Sequence, residues 1–152
     1  MIYIGADHRG FELKEKIKSW LSDWGYEYED RGALEYNKDD DYPDFAKEVA
    51  EAVTLRQAQG QDVKGILVCG SGIGVAIAAN KIKNARAGTA MKPEQVKASV
   101  NDEDLNMVAL PADYLNDDEA EKIIKVFLET KFSNAERHVR RVDKIKKLEE
   151  QN

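Results

Sequence analysis

The chain has 152 residues, a formal net charge of −6 and a single cysteine. A chain of this length can bury one good hydrophobic core, and we predict a single domain over residues 1–152. The negative charge argues against general nucleic-acid binding, and no segment has the roughly 20 apolar residues needed to span a membrane. A lone cysteine forms no internal disulfide, which fits a reducing cytoplasm. The composition therefore predicts a cytoplasmic protein with neither nucleic-acid nor membrane partners.

Short apolar segments alternate with longer amphipathic ones along the chain. The apolar segments, which predict strands, lie at residues 1–5, 26–29, 66–68, 85–89 and 107–110. The amphipathic segments, which predict helices, lie at 11–24, from Pro43 onward, and at 75–81, 93–100, from Asn116 onward and 134–152. Strict alternation of this kind predicts a five-stranded parallel sheet with helices on both faces, a three-layer α/β/α Rossmann-like fold.

The stretch from Gly65 to Ala79 contains the strongest candidates for a functional site. Its apolar strand leads into Cys69, then into glycines at alternate positions (Gly70, Gly72 and Gly74), and finally into an alanine-rich helix. A strand that breaks into such a loop before a helix directs backbone N–H groups toward one spot, where an anion is stabilised. A thiol at that spot is well placed to act as a base or a nucleophile. The stretch predicts a reactive thiol beside an anion-binding loop.

The residues that follow the first strand are predicted to lie close to Cys69. Asp7 and His8 directly follow the first strand, as Cys69 follows the central one. Ligands of doubly wound parallel sheets bind beyond the carboxyl ends of the strands. Asp7 and His8 could each serve only the local turn, but their position at a strand end favours a functional role beside Cys69.

The tail, residues 134–152, is strongly basic with one narrow apolar stripe. Such a helix can lie on its own domain or on a neighbouring subunit. Arg137 and Arg141 lie about one helical turn apart on one face, a spacing that suits a phosphate group. A solvated basic helix end is the alternative.

Several better-known motifs fail in the glycine-rich stretch. Val75 stands where a dinucleotide fingerprint needs glycine and where a cysteine phosphatase needs arginine. Ser71 replaces the lysine of a P-loop, and its neighbours Cys69 and Ile73 replace the glycines of a serine-hydrolase elbow. One cysteine and two histidines cannot hold a structural zinc ion. We therefore predict neither a nucleotide cofactor nor a metal.

Five motifs, taken together and in order, resemble the family of ribose-5-phosphate isomerase B and the galactose-6-phosphate isomerase subunits. The resemblance covers nearly the whole chain. The motifs are Gly5-Ala-Asp7-His8-x-Gly10, Asp41-Tyr42-Pro43, the stretch from Gly65 to Gly74, Asn80-Lys81, and Arg137-His138-x-x-Arg141-Val142.

The resemblance implies aldose–ketose isomerisation of a pentose or hexose phosphate, with ribose-5-phosphate and ribulose-5-phosphate as the first choice. It implies a cis-enediolate intermediate and no cofactor. Cys69 would be the catalytic base that moves a proton between C1 and C2. The developing enediolate oxygen would be held by the Ser71 hydroxyl and by the loop N–H groups, those of Gly70, Gly72, Ile73 and Gly74.

The same resemblance implies how the substrate is bound and how the chains assemble. Asp7 would contact sugar hydroxyls, and the phosphate would bind a basic set consisting of His8, Arg137 and Arg141. The remaining substrate-binding positions implied are Tyr42, Ile73 and Glu103. The family is dimeric or tetrameric, with sites built across the subunit interface, so residues 134–152 are predicted to pack on a partner subunit.

One position departs from the family pattern. The histidine that helps to open the sugar ring is replaced by Asp102, followed by Glu103. Asp102 could take over as the catalytic acid/base, the substrate could be an open-chain or short sugar, or the histidine could come from a different chain in a hetero-oligomer. A non-catalytic sugar-phosphate-binding subunit is the alternative function. A thiol-redox role is disfavoured, since there is no resolving cysteine.

Two smaller expectations accompany this departure. The chain has only two histidines, His8 and His138, and neither is expected near Asp102. The acidic run at residues 39–41 is interpreted as a solvated loop, with electrostatic steering or attraction of a metal ion as the alternative.

Overall fold

A computed structural model describes residues 1–151 of the chain, and the described part contains five strands and six helices. The strands are β1 (Ile2–Ala6), β2 (Tyr28–Asp30), β3 (Lys64–Cys69), β4 (Ala87–Thr89) and β5 (Met107–Pro111). The helices are α1 (Phe11–Asp23), α2 (Tyr42–Ala58), α3 (Ile73–Ala79), α4 (Pro93–Glu103), α5 (Asp117–Glu129) and α6 (Glu136–Glu150).

All five strands run parallel in one sheet, in the order β2-β1-β3-β5-β4. β3 lies at the centre between β1 and β5, and every residue from Gly65 to Cys69 is buried. A central parallel strand is covered on both faces, which explains why its sequence is continuously apolar rather than alternating. The predicted five-stranded parallel sheet is confirmed.

Helices cover both faces of the sheet, as the alternation predicted. One core packs α1, α4 and α5 against one face, and a second core packs α2 and α3 against the other. Successive side chains of β3 alternate between these cores: Ile66 and Val68 face the first, whereas Leu67 and Cys69 face the second. The three-layer α/β/α architecture is thereby confirmed.

A buried lysine ties α1 to the end of β2. The Lys14 side chain is fully buried, and its Nζ lies 2.7 Å from each carboxylate oxygen of Asp30. The same ammonium donates to the Ala33 carbonyl, and the Lys18 Nζ lies 2.9 Å from Asp30 Oδ2. These bonds fix the start of the long loop that leads from β2 to the carboxyl edge of the sheet.

One helix ends later in the structure than the sequence predicted, and the C-terminal helix lies apart from the cores. α4 continues to Glu103, three residues beyond the predicted end at Val100. α6 forms the predicted C-terminal helix, lies outside both cores and buries only His138 and Val142. Within residues 1–151, the helices are too short or too polar for any of them to cross a membrane.

Candidate active site

Two loops meet at the carboxyl edge of the sheet, where β1 and β3 end. The register pairs Ala6 of β1 with Val68 of β3, which puts the next residues, Asp7 and Cys69, side by side. Both are buried, with 4% of each residue exposed. The structure therefore brings Asp7 and His8 to the edge that carries the thiol, where the sequence predicted them to converge.

The Cys69 thiol is held by the loop that follows it. Its Sγ accepts a hydrogen bond from the Gly72 N–H at 3.2 Å. Gly72 has a φ of 71°, and a β-carbon there would lie 2.9 Å from the Pro111 nitrogen and from Thr89 Cγ2. Only glycine fits this left-handed, crowded position. The Gly72 N–H therefore fixes the position of the sulfur at the carboxyl end of β3.

Two of the loop N–H groups donate within the loop itself. Gly72 donates to the Cys69 sulfur, and Ile73 donates to Ser71 Oγ at 3.2 Å. The predicted role of the loop N–H groups toward an enediolate oxygen stays a prediction. The Ser71 hydroxyl is exposed and retains its own proton as a donor. Because α3 has only seven residues, this loop, rather than a helix dipole, shapes the site.

A tyrosine forms the rim beside the loop. Tyr42 begins α2 and its ring lies against Gly74, where a β-carbon would be 2.8 Å from ring carbons Cε2 and Cζ. Tyr42 and Ile73 remain 41% and 51% exposed, respectively. The glycine thus permits close packing of the ring, and both exposed side chains border the carboxyl edge.

Asp40 orients His8, which corrects the interpretation as a solvated loop for Asp40 alone, since Asp39 and Asp41 are exposed as predicted. One carboxylate oxygen, Asp40 Oδ1, accepts the His8 backbone N–H at 3.0 Å and lies 2.7 Å from His8 Nδ1. The Asp40 side chain is only 8% exposed. The two residues are 32 positions apart, and no periodic pattern links them in the sequence.

Asp7, His8 and Asp40 bring their ligand-type atoms within 4.8 Å of one another, so these residues could hold a metal ion. Hydrogen bonds already engage one oxygen of each carboxylate. Asp7 Oδ1 accepts the N–H groups of Arg9 and Gly10 at 3.0 and 3.1 Å, and Asp40 Oδ1 binds His8. The other oxygen, Asp40 Oδ2, is buried and has no hydrogen-bond partner among residues 1–151, so the described residues alone do not complete this network.

A second cluster lies at the opposite edge of the sheet, where the strands begin. Asp102 and Glu103 end α4 just before β5. His138, in the first turn of α6, is buried, and its Nε2 lies 3.6 Å from Asp102 Oδ1. Its other ring nitrogen lies 2.6 Å from Ser133 Oγ. The expectation that no histidine lies near Asp102 was wrong, because it considered only distance along the sequence.

Glu103 has a raised pKa in this cluster. Burial raises the pKa most, and the neighbouring Asp102 charge raises it further, whereas His138 and Arg141 act in the opposite direction. A carboxyl group with a raised pKa is a better proton donor near neutral pH. Arg137 and Arg141 are both exposed beside this cluster.

Within one chain the predicted site residues fall into two groups. One group lies at the carboxyl edge of the sheet and consists of Cys69, Ser71, Asp7, His8, Tyr42 and the loop glycines. The other group lies at the amino edge and consists of Asp102, Glu103, Arg137 and Arg141. β3 runs from Lys64 to Cys69 between them, and five steps of about 3.3 Å give a separation of roughly 16 Å. A single copy of the chain does not bring the two groups together.

The fold is that of a doubly wound α/β protein, with the Cys69 thiol and a glycine-rich loop at the carboxyl edge of the sheet. Comparison with known proteins narrows this class. The sequence profile described as "Ribose/Galactose Isomerase" matches residues 2–145. The chain is 35% identical to the probable ribose-5-phosphate isomerase B of Mycoplasma genitalium, over 99% of this chain and 96% of that protein. It is 36% identical to ribose-5-phosphate isomerase B of Mycobacterium tuberculosis, over 97% and 89%.

Solved structures agree. The crystal structure of the Mycoplasma genitalium enzyme with bound ribulose-5-phosphate matches with a TM-score of 0.92 and 34% identity, covering 99% of this chain and 97% of that one. The Clostridium thermocellum ribose-5-phosphate isomerase B matches with a TM-score of 0.91 and 37% identity, at the same coverage. This chain belongs to the ribose/galactose isomerase family.

Proposed function

We propose that this protein is an aldose–ketose isomerase that interconverts ribose-5-phosphate and ribulose-5-phosphate. The observation that carries the proposal is the buried Cys69 thiol, whose Sγ accepts the Gly72 N–H at the carboxyl end of β3. Family membership supports the same activity. A cytoplasmic location belongs to this proposal, because a free thiol acts as a base only where it stays reduced.

The chemistry follows from the Cys69 thiol acting as a base. Cys69 Sγ removes the proton from C2 of the open-chain aldose, and the C2–H electron pair forms the C1–C2 double bond while the carbonyl electrons pass to the C1 oxygen, which gives the enediolate. A proton then moves from the C2 hydroxyl to the C1 oxygen, and return of the proton from sulfur to C1 gives the ketose. Asp7, beside Cys69 in the register, and the exposed Ser71 hydroxyl are polar groups of the same edge that could bind these oxygens.

We propose that a complete site forms between two copies of the chain. The carboxyl-edge group of one copy supplies the thiolate, and the amino-edge group of the other supplies Arg137 and Arg141 for the phosphate. The geometry that favours this is the strand-length separation of the two groups. The exposed apolar residues Val139 and Ile145 on α6 (36% and 39% exposed) offer contact surface for the partner.

Ring opening is assigned to the acidic pair at the amino edge. Asp102 occupies the position predicted for that role, and Glu103 beside it has the raised pKa that suits a proton donor. The alternatives of an open-chain or short sugar, and of a hetero-oligomer, predict that replacing Asp102 and Glu103 by amides leaves turnover of ribose-5-phosphate unchanged.

Mixing two inactive variants tests the composite site. Cys69→Ala damages the carboxyl-edge group and the double variant Arg137→Met/Arg141→Met damages the amino-edge group. A mixed dimer then retains one intact site of two. Random re-assortment of equal amounts should restore about a quarter of wild-type activity, because half the dimers are mixed.

The control mixes Cys69→Ala with Asp7→Asn, two variants of the same edge, which leaves no intact site in any dimer and should restore nothing. Differently tagged chains verify that mixed dimers form. Absence of rescue in verified mixed dimers would contradict the composite site.

Asp40→Asn is expected to raise the KM for ribose-5-phosphate about tenfold. The carboxylate that orients His8 is lost, and hydrogen bonds to charged groups contribute roughly 1.5–3 kcal/mol. Asp39→Asn is the matched control, since Asp39 is adjacent and exposed and its KM should stay within twofold of wild type. Steady-state kinetics of both variants measure this difference. Equal KM values for Asp40→Asn and Asp39→Asn would show that Asp40 does not contribute to substrate binding.

A further inference from the structure

Arg9 lies over the first glycine of the thiol loop. A β-carbon built on Gly70 would collide with Cζ and Nε of the Arg9 guanidinium. The Arg9 Nη2 donates to the Asp113 carboxylate, and the Asp113 backbone N–H donates to the Gly70 carbonyl at 3.0 Å. Arg9, Gly70 and Asp113 therefore form one packed unit that joins the loops after β1, β3 and β5.

This unit lies across the strand end from the thiol. Side chains of successive residues in a strand point to opposite faces. Cys69 packs in the core with α2 and α3, so the side-chain direction of Gly70 points away from that core, toward Arg9. A substrate that extends over the end of β3 would meet the thiol on one side and the guanidinium on the other.

The ion pair leaves most of the guanidinium available. The Arg9 side chain is 55% exposed and that of Asp113 is 38% exposed. Exposed ion pairs of this kind contribute little to stability. A guanidinium has five N–H donors in a planar fork that matches phosphate oxygens, and the hydrogen bond to Asp113 comes from one nitrogen, Nη2.

The carboxylates around the thiol make a nearby cation necessary for binding a phosphate group. Asp7, Asp40 and Asp113 all lie at this edge, and each would repel a phosphate dianion. Arg9 and the adjacent His8 are the basic residues that the β1–α1 loop places there. Asp113 holds the guanidinium against Gly70, where it is ordered before a ligand arrives, which lowers the entropic cost of binding.

We infer that Arg9 is a substrate-binding residue for the phosphate group and that Asp113 is its positioning residue. The inference rests on the proposed function, because it takes the ligand to be a sugar phosphate. It also gives Gly70 a defined purpose: the absence of a side chain makes room for the guanidinium.

Calorimetric titration with inorganic phosphate, and separately with ribose-5-phosphate, tests the inference. Arg9→Met keeps the length of the side chain and removes its charge. We expect the Kd for both ligands to rise about tenfold or more, since a charge-assisted, bidentate contact is lost. Arg9→Lys should recover part of the affinity because it restores the charge without the fork.

Asp113→Asn separates phosphate binding from a structural ion pair. It breaks the same ion pair but leaves the Arg9 charge in place, so the Kd should rise by only about two- to threefold, the contribution of ordering the guanidinium in advance. Equal losses in Arg9→Met and Asp113→Asn would overturn the inference, as would Kd values unchanged in Arg9→Met or no measurable binding to the wild-type protein. A protein that binds both ligands yet exchanges no substrate proton would refute the proposed isomerase activity alone.

Discussion

Cys69→Ala is expected to lower kcat for ribose-5-phosphate by about three orders of magnitude, because positioned acid–base groups contribute roughly 10²–10⁴-fold to rates. The loss should appear in kcat rather than in KM, since the thiol acts on the transferred proton and not on the phosphate. In D₂O, wild-type protein should incorporate deuterium at the transferred carbon position of the sugar phosphate, and the variant should not. Mass spectrometry of the recovered sugar measures this exchange directly.

The controls for Cys69 use its own neighbours. Ser71 lies in the same loop, two residues after Cys69. Ser71→Ala should lose less activity than Cys69→Ala, because it removes one hydrogen-bond donor and leaves the base intact. Unchanged phosphate affinity in Cys69→Ala would show that the loop is still folded. Deuterium exchange at the wild-type rate in Cys69→Ala would exclude the thiol as the base. No exchange by the wild-type protein with any aldose or ketose phosphate would favour the non-catalytic binding subunit instead.

Lys14→Met is expected to lower the free energy of unfolding by about 3–5 kcal/mol, the range for removing one partner of a buried ion pair. The Asp30 carboxylate, whose side chain is 13% exposed, would lose its closest cation, and the Ala33 carbonyl would lose its donor. Lys16→Met is a matched control on the same helix. Lys16 is exposed and pairs with Asp117 and Glu12, so its loss should cost no more than about 1 kcal/mol. Urea unfolding of both variants measures the difference, and equal losses would contradict the prediction.

The same ion pair predicts how stability depends on pH. Burial alone would raise the pKa of Asp30, but hydrogen bonds from Lys14, Lys18 and the Gly32 N–H outweigh it and hold the pKa below its usual range. A carboxyl pKa lowered by folding contributes stability above the unfolded value of about 4 and loses it as the pH falls through the folded value. Wild-type protein should therefore lose stability in that acid window, and Lys14→Met should lose less of it.

The sheet and the thiol loop were predictable because their signals are local. Apolar strands, amphipathic helices and the break after Cys69 each occupy a few consecutive residues. The Asn116 cap is an example: its side chain and that of Glu119 form the reciprocal bonds of a capping box. Such patterns predict the local structure because it does not depend on contacts between distant parts of the chain.

The rest of the site depends on contacts that sequence distance conceals. Asp40 meets His8 and Asp102 meets His138 only after the sheet and helices have packed. The extension of α4 past Val100 has a similar origin, since Asp104 ends the helix with a φ of 53° and pairs with Arg86. The separation between Cys69 and Arg141 has a different origin, since α5 returns the chain from the carboxyl edge of the sheet to the amino edge before α6 begins.

That separation has a consequence for how the protein behaves at low abundance. Under the proposed assembly, an isolated chain is fully folded yet carries only half of each site. Catalytic output would then scale with the square of chain concentration once the protein is diluted below the dissociation constant of the pair. Activity could be switched off by dilution and recovered by concentration, with every copy remaining native throughout.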